Sequence, residues 1–428
     1  MHNRTEILQR TGLLSIVNLV PLALGSHMNS IVSCCGLGYE AYNAIHRWMG
    51  RVAVIEGVIH VILAVVSQTP NLHSSTQVAA SVAASAMTAI LITSLSIARH
   101  HFYEIFLNIH RVLTVIVVTA IWIHVPGKLL SIPTIYLLVA CCIWASLHLL
   151  RTCQILYRNF RNWEYSCKVS IESLPDAYQV HAKISRPWKY RAGQYVYLCV
   201  PGASYSAFFQ SHPYMVAWWY AYDKDWDVVV FIIQRQTGFT QSLPSGSSSS
   251  QSTELRAIVE GPYGMEIHLD EYGTVLLFAT GIGIAGQLPY VKQLLENFHN
   301  YDAKARRIAL FWQVDSEEHL KWVGQWMTDL LEQDSEYVLD IRLFVTGNYI
   351  TNGAEHGMVG RVGKHDRIIV NYRGLDVENL IRSEIEGRKG RSVISLCVNN
   401  HVGEQVREVV RQMLDKDIHL KELPFHPL

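Results

Sequence analysis

Five apolar stretches precede residue 157, at about 13–35, 42–66, 78–98, 103–125 and 133–150. Each is close to the ~20 residues that a helix needs to cross a hydrocarbon layer. Lipid offers no partner to backbone N–H and C=O groups, so stretches of this kind fold as spanning helices. Pro21 and Gly25 in the first stretch are compatible with that, because a membrane bundle tolerates both. Half of the residues are hydrophobic and only 17% are charged, and the apolar excess lies in the first third. That distribution reads as a membrane protein rather than one large soluble core. The net charge of zero gives no basic patch for nucleic acid.

Lys and Arg placement sets the expected orientation. Arg47 and Arg51 flank the start of the second stretch, Arg99 ends the third, Arg111 lies just inside the fourth, and Arg151, Arg158 and Arg161 follow the fifth. The turn at 68–76 has no Lys or Arg, and the turn after the fourth stretch has only Lys128. The first and third turns, and everything after the fifth stretch, are therefore expected in the cytosol. The N-terminus (1–12), with the glycosylation sequon Asn3-Arg4-Thr5, is expected outside. Its polar start and the spans that follow do not read as a cleaved signal peptide. Eight cysteines include the adjacent pairs Cys34/Cys35 and Cys141/Cys142 in apolar runs. With no CxxC, they argue against a disulfide framework or a zinc site.

The second stretch carries His46 and His60, and the fourth carries His110 and His124, each pair 14 residues apart. In a helix, 14 steps return to within about 40° of the starting face and rise about 21 Å. Each helix thus presents two imidazoles on one side, one near each membrane surface. One helix intervenes, so the two run parallel and His46 faces His110 while His60 faces His124. Two such sites would hold two haems, each iron ligated from both sides. Any one of these histidines taken alone reads more simply as a packed polar residue. The repeated spacing on alternate helices is what carries the metal assignment. His27, His73, His100, His101 and His148 lack that geometry and read as structural or interfacial. Glu56 is an acid inside a span and needs a partner, for which a local hydrogen bond is the expected form and haem tuning the alternative.

After Trp163 short alternating strands begin, such as 195–200 and 228–233, separated by Gly, Pro and Ser. They predict an antiparallel barrel to about residue 268, with a low-complexity loop at 245–251. From Thr274, strands at 275–279, 308–312, 339–345 and 392–398 alternate with helical segments at 288–298, 319–331 and 402–414. That βαβ order predicts a parallel sheet.

Within the barrel, His212-Pro213-Tyr214-Met215 offers an aromatic able to stack on an isoalloxazine ring. Arg235, Gly238 and Thr240 give a turn with free amides, a hydroxyl and a cation, which suits a pyrophosphate but also describes an ordinary hairpin. Gly261-Pro262-Tyr263-Gly264 is a turn at the barrel exit. Gly281, Gly283 and Gly286 lie between a strand and a helix, where a dinucleotide phosphate can approach the helix N-terminus. Asp315 follows the next strand. There it could bond a ribose hydroxyl and would repel a 2′-phosphate, or serve only as a helix cap. Cys397 ends a late apolar strand, near a nicotinamide or simply buried.

The order of these elements resembles the fungal ferric/cupric-chelate reductases, relatives of the NADPH oxidase catalytic subunits. The likeness runs from about Arg10 onward and rests on YNAIHRWMGRVAVIEGVIH, FLNIHRVLTVIVVTAIWIH, RAGQYVYL, QSHPYMVAWW, TGFT, GPYG and TGIGIAG. It implies a multi-domain chain: a transmembrane α-helical haem bundle (13–157) followed by a ferredoxin-reductase-like module. That module would comprise an antiparallel β-barrel for FAD (163–268) and an α/β parallel-sheet nucleotide domain (272–428). The resemblance implies that His46, His60, His110 and His124 ligate two b-type haems. His212 to Met215, Arg235, Gly238 and Thr240 would bind FAD, Gly281, Gly283, Gly286 and Cys397 would serve NADPH (NADH being the alternative donor), and Phe425 would be the terminal aromatic over the flavin. The chain departs from the pattern at Met215, where Ser or Thr is usual, and at Cys397-Val398-Asn399, where Cys-Gly-Pro is usual. It also starts without the family's earlier helix, as a truncated or shortened form would. The expected function is electron transfer from cytosolic NADPH to ferric or cupric chelates outside, in a multi-pass protein of the plasma membrane. An oxidase that makes superoxide and a catalytically degenerate relative are the alternatives.

Overall fold

A computed structural model describes residues 2–25, 39–67, 74–101, 103–125, 131–161, 164–201, 211–236, 254–349, 355–363, 366–413 and 417–423. His27, His73, Gly238, Thr240, the 245–251 loop and Phe425 lie outside the described residues. The chain forms two compact units, Met1–Cys153 and Gln154–Leu428.

The first unit is helical: α1 (His2–Val17), α2 (Leu19–Leu22), α3 (Tyr39–Ser67), α4 (Ser75–Thr93), α5 (Ser96–His101), α6 (Tyr103–His124) and α7 (Ile132–Asn159), whose last turns enter the second unit. Among the described residues, four segments are long and apolar enough to span a bilayer: Ala41–Ser67, Ser75–Thr93, Ile105–His124 and Ile132–Asn159. They match four of the five expected stretches. The remaining stretch, expected from residue 13, is helical already from His2, and α2 ends at Leu22. Its polar first turns hold no helix breaker and gain an Arg10–Glu6 pair one turn apart. Residues 26–35 of that stretch lie outside the described residues.

These helices keep apolar side chains on their outer surface, with Val66 70% exposed and Leu149 65% exposed. A water-facing bundle would bury such residues, so this surface suits lipid. In the bundle interior three alanines, Ala83 and Ala86 of α4 and Ala120 of α6, pack among Met87, Val117 and Ile121. Short side chains let the backbones approach closely, which is how membrane helices associate.

The second unit begins with a β1–β2 pair (Phe160–Arg161, Glu164–Tyr165) and two antiparallel sheets. The five-stranded sheet has the order β7-β8-β4-β3-β9, from strands Trp218–Asp223, Trp226–Gln234, Ala177–Ile184, Lys168–Leu174 and Leu255–Arg256. The three-stranded sheet has the order β10-β5-β6, from Ile258–Tyr263, Tyr195–Cys199 and His212–Met215. Val169, Val180 and Phe231 of one sheet meet Val196, Leu198 and Val259 of the other in one core, as the alternating sequence anticipates.

The rest is a seven-stranded sheet, ordered β14-β15-β13-β12-β11-β16-β17. In that order its strands are Val359–Val362, Ile368–Asn371, Leu339–Asn348, Arg307–Ser316, Thr274–Thr280, Ser392–Cys397 and Ile418–Glu422. All neighbours are parallel except β14 with β15. Every residue of β11 is buried. Val275, Leu277 and Ala279 face the side covered by α8 (Ile284–His299) and α9 (Gly324–Gln333). Leu276 and Phe278 face α10 (Val377–Glu386) and α11 (Asn400–Arg411). Helices on both faces are what a buried parallel sheet requires. The helix expected at 319–331 is a 3-10 turn at Glu317–Trp322 followed by α9, broken where Val323 leaves helical backbone (φ −144°) ahead of Gly324.

Candidate electron-transfer sites

The helical unit brings the four predicted histidines together as two pairs. The His46 and His110 rings lie 6.3 Å apart between centroids, and the His60 and His124 rings 6.2 Å. Residues pair in the same order along α3 and α6, so the two helices run parallel, with α4 and the short α5 between them in sequence. A metal–nitrogen bond of ~2 Å on each side, plus ~1.1 Å from each nitrogen to its ring centre, sums to about 6 Å. Each pair therefore leaves the space of one metal ion between two imidazoles.

The remaining ring nitrogens strengthen the fit. Nδ1 of His60 lies 2.8 Å from the Leu8 carbonyl, and Nδ1 of His124 lies 3.0 Å from the Thr76 carbonyl. A carbonyl only accepts, so both rings donate from Nδ1 and keep the Nε2 lone pair for a metal. The Nδ1 atoms of His46 and His110 are buried with no hydrogen-bond partner among the described residues. These are the residues that would hold two haems. Glu56 accepts from Asn18 Nδ2 at 2.7 Å, a partner 38 residues away in the chain rather than a neighbour on its own helix. His148 instead packs edge-on against Trp144 at 4.4 Å.

In the second unit three predicted site residues converge. Gly286, in the first turn of α8, sits so close to the end of β16 that a Cβ there would be 3.0 Å from Cys397 Sγ and 3.5 Å from Met215 Cε. The barrel motif, the glycine turn and the late cysteine thus meet at one point. Burial pushes the Cys397 thiol up to about 12, so it stays protonated at neutral pH. Met215 ends β6, opposite Tyr195 of β5. Tyr195 and Tyr197 alternate with Val196 and Leu198, which fill the barrel core, so the two tyrosines line the other face with Tyr263. The three rings lie 5.8–5.9 Å from one another. The motif reading passed over this aromatic face, although the period-two tyrosines of RAGQYVYL and the tyrosine of GPYG carry its signal.

Tyr214 packs against the barrel core, and burial raises its hydroxyl pKa. The His212 and Tyr214 rings are 6.5 Å apart. Arg235 is engaged at the β3–β4 hairpin: its N–H donates to Asp176 O at 2.9 Å, and its guanidinium donates to Ser173 Oγ and lies 4.6 Å over the Tyr178 ring.

The nucleotide-side turn follows directly from β11. Gly281 takes φ +49°, and Gly281–Gly283 form a 3-10 turn that leads into α8. Trp312 Nε1 donates to Gly281 O at 2.9 Å, and the Asn399 N–H donates to Thr280 Oγ1 at 2.8 Å. The carboxyl ends of β11, β12 and β16 are thereby tied around a helix N-terminus, the usual seat of a phosphate in such sheets. Asn399, where the family's pattern has Pro, caps α11 by accepting from Val402 N at 3.0 Å. Asp315 is exposed at the end of β12 and accepts from Thr346 Oγ1 at 3.2 Å. The 3-10 turn that follows is capped by Ser316 and not by Asp315.

Family comparisons follow the same three-part order. Residues 11–121 match the ferric reductase like transmembrane component, 168–267 an FAD-binding domain and 272–384 the ferric reductase NAD binding domain. The chain belongs to the ferric reductase family. His124, whose ring lies 6.2 Å from that of His60, falls just beyond the first match. The ferric/cupric reductase transmembrane component 2 of Saccharomyces cerevisiae is 28% identical over 67% of this chain and 40% of its own length. The ferric reductase transmembrane component 5 of the same yeast is 23% identical over 94% of this chain and 58% of its own length. A probable cell surface ferric reductase of Aspergillus oryzae is 24% identical over 79% and 47%. The chain spans roughly half the length, or less, of these relatives.

Proposed function

We propose that this protein is a transmembrane metalloreductase that moves electrons from cytosolic NADPH, or NADH, through FAD and two b-type haems to ferric or cupric chelates outside. The observation that carries this reading is the pair of facing imidazole sites in membrane helices, within a chain that also has FAD-binding and NAD-binding domains. When bound, FAD takes a hydride and releases electrons singly, and haem iron relays them one at a time.

The chain's residues supply position. His46 with His110, and His60 with His124, would hold the irons from both sides and leave no open coordination position. With both imidazoles of a pair committed to one iron, transfer to the final acceptor would be outer-sphere. The tyrosine face of β5 and β10 would receive the flavin ring. Cys397, a neutral thiol, would touch the nicotinamide where Gly286 lets the two domains close up. The distribution of Arg and Lys supports a cytosolic module and an outward-facing acceptor site, with the plasma membrane as the location.

Membranes holding the full chain, supplied with NADPH and a ferric chelate, are expected to form ferrozine-detectable iron(II) equally with and without superoxide dismutase. Loss of that signal with the dismutase identifies oxygen as the acceptor. A purified protein without bound FAD identifies a degenerate relative.

Asp315 would face the adenosine ribose from the end of β12, where its carboxylate opposes a 2′-phosphate. Asp315→Ser is expected to raise kcat/KM for NADPH relative to NADH by about tenfold, the size of one like-charge contact near a surface. An unchanged ratio means that the ribose lies elsewhere.

A further inference from the structure

We propose that α1 is the clamp of the outer haem site, with the Leu8 carbonyl and Gly12 as positioning residues for His60. This rests on the two-haem reading.

One face of α1 is fitted to α3 residue by residue. Ser15 Oγ donates to Ala53 O at 2.8 Å, and Asn18, just past the helix, reaches Glu56 at 2.7 Å. A Cβ on Gly57 of α3 would meet Ser15 Oγ at 3.3 Å. One turn further along the same face, the His60 ring rests on the α1 backbone itself. A Cβ at Gly12 would lie 2.8 Å from His60 Nδ1 and 2.9 Å from Cε1, closer than side-chain carbons approach. One turn earlier, Leu8 O receives the Nδ1 proton at 2.8 Å. Thr11 Oγ1 lies 3.0 Å from both this carbonyl and Ile7 O, so it can donate to Ile7 and leave Leu8 O to the helix's own bond and to His60. The ring is thus held by a hydrogen bond on one side and by a missing side chain on the other.

The restraint is confined to one pair. His124 also donates to a backbone carbonyl, whereas Nδ1 of His46 and of His110 has no partner among the described residues. An N–H donated to a carbonyl fixes the tautomer and makes the opposite nitrogen a stronger donor, which favours ferric iron. The two sites are therefore chemically unequal, and α1 acts on only one of them.

The test compares full-length wild type with Gly12→Ala and Gly12→Val in membranes, by haem content, reduced-minus-oxidised spectra and redox titration. Gly50→Ala serves as the control, since a Cβ there meets only Leu22 at 3.9 Å. Wild type should titrate as two components. Gly12→Ala should shift one component and leave the other in place, and Gly12→Val should lose one. The component affected should be the one that His110→Ala retains. Two unshifted components in Gly12→Ala, or equal changes in both, overturn the clamp. Wild type without haem overturns the two-haem reading instead.

Discussion

Replacing His110 by alanine is expected to remove one of two b-type haems and to lower NADPH-driven chelate reduction by more than about 100-fold. The magnitude follows from a comparison: disturbing only the outer partners of a metal ligand costs about 10–100-fold, and here the ligand itself is removed. His110 sits 6.3 Å from His46, and its Nδ1 makes no bond that would hold the ring for another purpose. Apart from packing against the Phe106 ring at 5.6 Å, the imidazole makes no contact that alanine would break at a polar atom, and its loss should cost the spectrum more than the fold. His148→Ala is the control. That ring packs on Trp144 of the next apolar helix, is not one of the facing pairs, and should leave the haem absorbance intact. A His110→Ala protein whose reduced-minus-oxidised spectrum matches wild type would remove the ligand assignment.

The sequence carried most of this arrangement, and the reason is periodicity. Fourteen residues is close to a whole number of helical turns, so a repeated 14-residue spacing on alternate spans already places His46 beside His110 and His60 beside His124. The strands of the barrel and of the parallel sheet were equally readable, because β8 and β11 carry the apolar runs 228–233 and 275–279. What escaped depends on contacts between elements distant in sequence. Nothing local marks Gly12 as the floor of the His60 ring, since the clash appears only once α1 and α3 pack. The meeting of Met215, Gly286 and Cys397 joins three segments by way of two domains, and no spacing announces it. α10, and the short strands β14, β15 and β17 at the two ends of the sheet, also went unseen. α10 is polar on most of its faces, and these strands are four or five residues long, too short to show a period.

Gly286→Val is expected to uncouple the two halves of the chemistry. NADPH should reduce the haems at least about 100-fold more slowly, while dithionite reduces them as in wild type and bound FAD is retained. A Cβ at this position already lies 3.0 Å from Cys397 Sγ and 3.5 Å from Met215 Cε, and valine adds methyl carbons another ~1.5 Å out. Both neighbours are buried and have nowhere to go, so the helix bearing Gly286 must move off the barrel strand. A displacement of ~1 Å at a reacting centre costs on the order of 100-fold, because hydride transfer needs near-contact geometry. Gly286→Ala meets only the sulfur at close range, so adding Cys397→Ala should restore part of the rate by vacating the contested space. Since burial keeps that thiol protonated, its removal takes away volume without removing a charge. Recovery in the double variant would locate the defect at the contact itself, whereas normal NADPH-driven reduction in Gly286→Val would mean that nicotinamide and flavin meet somewhere else.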